Sequence, residues 1–175
     1  MAHMTVRLHV AVWILHVCAV APAAQQLLDR VLARVGAAAI TLTDVRAAVE
    51  LGLVEAAPGE LEGAALERVI DRQLILNEVA RFQPPDPAPI DVETEVAAMK
   101  AHAGGRLEAL MRETGLDQER LRELARDTLR IRAYLRQRFG ASAQPNSDDV
   151  RRWVDDLRQR AEISRTVSRT PSSAR

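Results

Sequence analysis

The chain has 175 residues, 47% of them hydrophobic, with 24 basic and 24 acidic side chains. That length holds one domain and buries a core without metal or disulfide support. Balanced charge argues against a dedicated nucleic-acid binder, which carries a basic excess. Aromatic residues are only 3%, so the core must come from Leu, Val, Ile and Ala, a palette that suits helices.

Residues 1–23 have the anatomy of a secretory signal peptide. Arg7 precedes an apolar run from Leu8 to Ala21, and small residues follow at Ala21-Pro22-Ala23. Cleavage is expected after Ala23, because cutting after Ala21 would leave Pro22 first. The alternative is an uncleaved anchor, although the apolar run is shorter than the ~20 residues a span needs. Cys18 lacks the context of a lipoprotein signal. Cleavage would remove Cys18, His3, His9 and His16, leaving His102 as the single histidine and no cysteine. Stability then rests on packing.

Residues 29–42 read as a short hairpin. Val31, Ala33 and Val35 alternate with Leu32 and Arg34, Gly36-Ala37-Ala38 turns, and Ile40 and Leu42 follow. Thr41 or Thr43 caps the next helix, with Asp44 in its first turn and Val45, Ala48, Val49 and Leu53 inward. Residues 60–82 form the apolar heart, with Leu66, Val69, Ile70, Gln73, Leu74, Asn77 and Ala80 on one face. Four prolines make 83–89 a loop. Asp91 is expected to cap a helix carrying Val96 and Met99, which Gly104-Gly105 breaks.

A short helix with Leu107, Leu110 and Met111 ends at Gly115, suited to the left-handed position. Asp117 suits the next N-cap, and Leu116 can staple to Leu121. The long helix then shows Leu121, Leu124, Ile131, Leu135 and Phe139 at near-heptad spacing until Gly140. Asn146 or Ser147 caps a last helix with Trp153 and Leu157 inward. The domain is expected over 24–161. Residues 162–175 read as a flexible tail in which Ile163 and Val167 can add a brief strand. The fold class is mainly α, about six helices around a helical-hairpin core with one small N-terminal β-hairpin beside the last helix.

Catalytic patterns are thin. Outside the leader, His102 is the only imidazole and Lys100 the only lysine available as a base. Asp148-Asp149 and Asp155-Asp156 point to different sides of a helix and read as capping and solvated groups. No catalytic residue, metal site or cofactor is expected. Arginines crowd the long helix. The pairs Glu119–Arg122, Glu123–Arg126 and Asp127–Arg130 and the helix dipole account for them as a solvated face, with an anion-binding strip as the alternative.

The order of elements carries a resemblance. The leader is followed by Arg30-Val-Leu-Ala-Arg-Val35, then Ile40-Thr-Leu-Thr-Asp-Val45 and Leu66-Glu-Arg-Val-Ile-Asp-Arg-Gln-Leu-Ile-Leu76. Gly115-Leu116-Asp117 opens the helix ending in Tyr134-Leu-Arg-Gln-Arg-Phe139. Over residues 28–157 this resembles the N-terminal chaperone domain of SurA-like periplasmic chaperones, relatives of the helical substrate-binding region of trigger factor. The resemblance implies an ATP-independent holdase in the periplasm. Its partners would be unfolded outer-membrane or secreted polypeptides, with no nucleic acid and no stable membrane insertion once the leader is cut.

Members of that family often carry a parvulin-type prolyl isomerase module after the long helix. Only residues 140–146 lie there, too few for such a module, so isomerase activity is not expected. Two alternatives stand beside the holdase: a dedicated structural subunit of an envelope complex, and an inactive member of the isomerase family. The candidate peptide-binding residues are Met99, Leu110, Met111 and Leu116, which cluster around the two Gly-marked breaks. They read either as an adaptable surface or as filling for the core.

Overall fold

The computed structural model describes residues 29–56, 61, 63–141, 144 and 147–166. The expected leader, residues 1–23, lies outside them. Two strands, β1 (Val31–Val35) and β2 (Ala38–Thr41), lead into helix α1 (Leu42–Glu50). Then come α2 (Ala64–Phe82), α3 (Pro89–Ala103), a 3-10 turn (Gly104–Arg106) and α4 (Leu107–Thr114). The long α5 (Gln118–Phe139), α6 (Asp148–Arg160) and a last strand β3 (Ile163–Arg165) complete the order. The architecture is mainly helical with a small antiparallel sheet, as the sequence implies.

The sheet has the order β2-β1-β3. Its third strand comes from the segment read as tail, starting at Ile163 where a brief strand was expected, so strand pairing continues past residue 161. Val35 pairs with Ile163 and Ala33 with Arg165. Gly36 N–H donates to the Glu162 carbonyl, and Thr166 N–H to that of Leu32, each at 2.9 Å. Two strands alone are marginal. Here the third strand closes one edge of the hairpin, while β1 and β2 rest on α2. α6 joins the sheet through β3, which follows it directly.

The hairpin turn is one residue shorter than expected, because Ala38 already belongs to β2. Gly36 takes the first turn position at φ +58°, where a two-residue hairpin needs a left-handed residue. The register shifts between Val31 and Ala33. That bulge lets neighbouring Leu32 and Ala33 both face the core, which strict alternation forbids.

Local signals fix most helix ends. Thr41 and Asp44 form a reciprocal capping box: Asp44 N–H donates to the Thr41 hydroxyl at 3.2 Å, and Thr41 N–H to the Asp44 carboxylate at 2.9 Å. Asp29 accepts from Thr43 N–H at 3.2 Å and from the Thr43 hydroxyl. Burial alone would raise the Asp29 carboxyl, but hydrogen bonds from the Thr41 and Thr43 hydroxyls outweigh it and hold it below the ordinary range. Asp117 accepts from Arg120 N–H at 2.7 Å and caps α5, and Gly115 ends α4 in the left-handed region. α3 departs from expectation. Its N-cap is Ala88, three residues before Asp91, so Pro89 stands in its first turn and Asp91 inside it, not capping it.

The apolar residues form two clusters. The first joins the sheet, α2, α6 and the C-terminal half of α5 through Leu32, Ile70, Leu74, Leu135 and Trp153, among others. The second joins α3, α4 and the N-terminal half of α5 through Val96, Met99, Leu110 and Leu121. α1 contributes to both, Val45 and Ala48 to the first, Ala47 and the C-cap residue Leu51 to the second. On α2 the buried stripe runs through Ala65, Val69, Ile75 and Val79 as well as Leu66, Ile70 and Leu74. Asn77 and Ala80, expected inside, are exposed, and Gln73 donates to Asn77 at 3.0 Å on the outer face.

An ionic cluster ties β3 and α6 back to α2. Glu67 accepts from Arg158 at 2.6 Å and from Arg165 at 3.0 and 3.1 Å, while Arg158 also reaches Asp71 at 2.5 Å. The Arg165 hydrogen bond, joined by Arg158 and opposed by burial, holds the Glu67 carboxyl below its ordinary 4.5. A carboxyl depressed by folding adds stability above its unfolded pKa and loses it as pH falls through the folded value. Glu67→Gln is therefore expected to cost about 1 kcal/mol at pH 7, a modest figure because the group is partly solvated. The cost should shrink below the ordinary carboxyl range. Urea melts at pH 7 and pH 3 check it, and an equal cost at both would remove the ionic explanation.

Candidate functional site

Between the two cores lies an open cleft of about 610 Å³. Its walls are the segment after α1 (Leu51, Gly52, Leu53, Val54), α2 (Arg68, Asp71, Arg72, Ile75), α3 (Glu95, Met99, His102) and α5 (Thr128, Ile131, Arg132). Val154 and Asp155 of α6 and Gln144 close the remaining side. The size is that of a ligand site.

Gly52 shapes one wall. It sits at φ +70°, and a Cβ there would come within 2.9 Å of the His102 ring. The glycine thus lets the imidazole lie against the backbone. Lys100 is engaged elsewhere, its ammonium donating to Gln118 at 2.8 Å and tying α3 to the start of α5.

Most charges in the cleft are matched. Arg132 holds Glu95 through two bonds of 2.5 and 3.0 Å, joining α5 to α3. Asp71 is taken by Arg158. Arg72 differs. Its Nη2 donates to the Thr128 hydroxyl at 2.9 Å and more weakly to the Leu124 carbonyl at 3.4 Å, both neutral oxygens. No carboxylate among the described residues pairs with it. Burial pushes the Arg72 guanidinium down to about 10, against the pull of Asp127, so it stays charged at neutral pH. Burial in turn raises the Asp127 carboxyl. Thr128, the one buried polar residue among those described, accepts from Arg72 and donates to Leu124 at 2.8 Å.

Of the two readings of Met99, Leu110, Met111 and Leu116, adaptable surface or core filling, the packing matches core filling. Met99 (2% exposed), Leu110 and Leu116 are buried and Met111 is half-buried, all in or against the second core. The glycines at 104, 105 and 115 turn α4 back so that its apolar face covers α1, where Arg46 and Glu113 pair at 3.2 Å. Only Met99 of the four reaches the cleft.

The arginines of α5 also pair differently. Arg122 reaches across to Glu93 of α3 at 2.7 Å and keeps Glu119 at 3.4 Å, while Arg126 takes Glu119 and Arg120 takes Glu123. The expected Glu123–Arg126 and Asp127–Arg130 pairs are absent among the described residues, and Arg130 faces Asp86 at 3.9 Å. Long guanidinium stems favour a carboxylate on the facing helix when one is in reach.

Arg72, half-buried, forms no ion pair among the described residues, although Asp127 and Glu95 act on its charge, and sequence reading missed it. It stands three residues after Val69 and three before Ile75, a cation inside a buried row. That interruption was the available signal.

Among the described residues no helix is long and apolar enough to cross a membrane, and no three His, Cys, Asp or Glu side chains group to hold a metal ion. No protein-family model, curated protein or solved structure matches the chain.

Proposed function

We propose that this chain holds other polypeptides, as a periplasmic, ATP-independent chaperone of the SurA-like N-terminal kind. The observation that supports the reading is the open cleft, backed by Ile75, Met99, Ile131 and Val154 and otherwise lined by polar and charged groups. Such a surface suits an extended chain, with apolar side chains inward and backbone groups against Gln144, His102 and the Gly52 backbone. The clients on this reading are unfolded outer-membrane or secreted proteins, and the chain carries out no reaction on them.

The test is delay of aggregation. The protein, recovered from the periplasm with its mass beginning at Ala24, is mixed with two unrelated unfolded envelope proteins. At several-fold molar excess it is expected to delay light scattering by both. No delay for either, together with one partner at fixed ratio in crosslinked envelopes, would replace the holdase by a dedicated subunit.

A further inference from the structure

The charges that line the cleft are not equally committed. Glu95 and Asp71 are each engaged by an arginine. Two cations on one row of α2, Arg68 at the rim and Arg72 four residues deeper, pair with no carboxylate among the described residues. Glu55 and Asp155, also at the rim, are exposed to solvent. Arg72, half-buried and drawn by Asp127 and Glu95 without an ion pair to either, is therefore a cleft cation whose hydrogen bonds go to neutral oxygens alone. A partly desolvated cation without a close ion pair is better stabilised when an anion joins it.

The geometry of Arg72 sets the class of anion. Nη2 is used on Thr128 and Leu124, whereas Nε and Nη1 have no partner among the described residues. A guanidinium with free N–H groups recognises a carboxylate well. A dianion such as a phosphate monoester would meet one half-buried cation and the nearby charges of Asp127 and Glu95, a poor match. Around Arg72 the walls are Ile75, Ile131 and Val154, so the body of the ligand is apolar. Gln144, His102 and the backbone at Gly52 stand along the same cleft and suit the amide groups of a peptide better than an alkyl chain.

We propose that the cleft takes the carboxyl terminus of a polypeptide ending in apolar residues, with Arg72 hydrogen-bonded to the terminal carboxylate. The last side chains lie against Ile75, Ile131 and Val154, and Arg68 draws the chain end toward the rim. The assignment rests on the reading of the chain as a polypeptide-holding protein and adds which part of the client is recognised.

The probe is a fluorescent heptapeptide with an apolar C-terminal triplet, made as the free acid and as the C-terminal amide. Decanoate serves as a carboxylate with an alkyl body. Anisotropy with the purified chain is expected to show the acid binding about 10- to 100-fold more tightly than the amide, the range of a charge-assisted hydrogen bond. Arg72→Met should abolish that difference and Arg72→Lys should retain part of it. Comparing acid with amide on the parent chain decides the matter even if Arg72→Met fails to fold. Equal binding of acid and amide overturns the proposal, as does binding of decanoate with neither peptide bound. Delay of aggregation is scored separately: if it persists while acid and amide bind alike, the holdase stands and only the role of Arg72 falls.

Discussion

Trp153→Ala is expected to cost about 3–5 kcal/mol, among the largest effects of any single change in this chain. Trp153 is 8% exposed and sits where α6 meets α2 and α5. Its ring lies 5.9 Å from that of Tyr134 and 5.5 Å from that of Phe139, and the Arg138 guanidinium stands 5.1 Å over it. Tilted aromatic pairs at these distances add to the area they bury. Phe82, 62% exposed, extends the cluster from Tyr134 at 5.3 Å. Truncation removes the member that touches both α5 rings and leaves a hole that the rigid helices cannot close. The loss should reach further than α6, because α6 delivers β3 to the sheet edge. Urea unfolding followed by circular dichroism measures it. A cost below about 1 kcal/mol would mean that α6 is an appendage, while Arg136→Ala, on an exposed position, should stay within about 0.5 kcal/mol.

How much of this was legible in the sequence divides by range. The capping box at Thr41 and Asp44 and the Gly115-Asp117 boundary were legible because both partners lie within a few residues. The apolar rows of α2 and α6 were legible for the same reason. β3 was legible only in part: Ile163 marked a brief strand, but three residues with one apolar side chain carry no periodicity and do not name the distant β1 they pair with. The bulge at Leu32 was hidden, since alternation predicts one face and the register shift supplies two. On α5 the heptad pattern found Leu121, Ile131 and Leu135 but passed over Ala125 and Thr128, buried where α5 meets its neighbours. Small residues there mark close approach, which depends on the partner helix. The cleft was the least legible feature. The Met and Leu cluster read either as adaptable surface or as core filling; the glycine breaks fold it inward, and the opening lies where the two cores part.

Leu74→Ala and Leu121→Ala are each expected to cost about 2–5 kcal/mol, although they lie in different cores. Leu74 is 4% exposed in the first cluster and Leu121 fully buried in the second. α5 is one uninterrupted helix of 22 residues, with Leu121 and Ala125 in the second core and Ile131 and Leu135 in the first. α1 repeats the arrangement on successive faces. Releasing either core therefore frees a helix that the other needs, and the two should melt as one unit. Both variants should lower the midpoint of a single urea transition with its slope unchanged. Combined, their costs should add to within about 0.5 kcal/mol, since the two side chains share no cluster. The decisive observation is the shape of the Leu121→Ala melt. Two separate transitions, with α3 and α4 lost first, would show that the cores fold independently and that the cleft lies between two mobile halves.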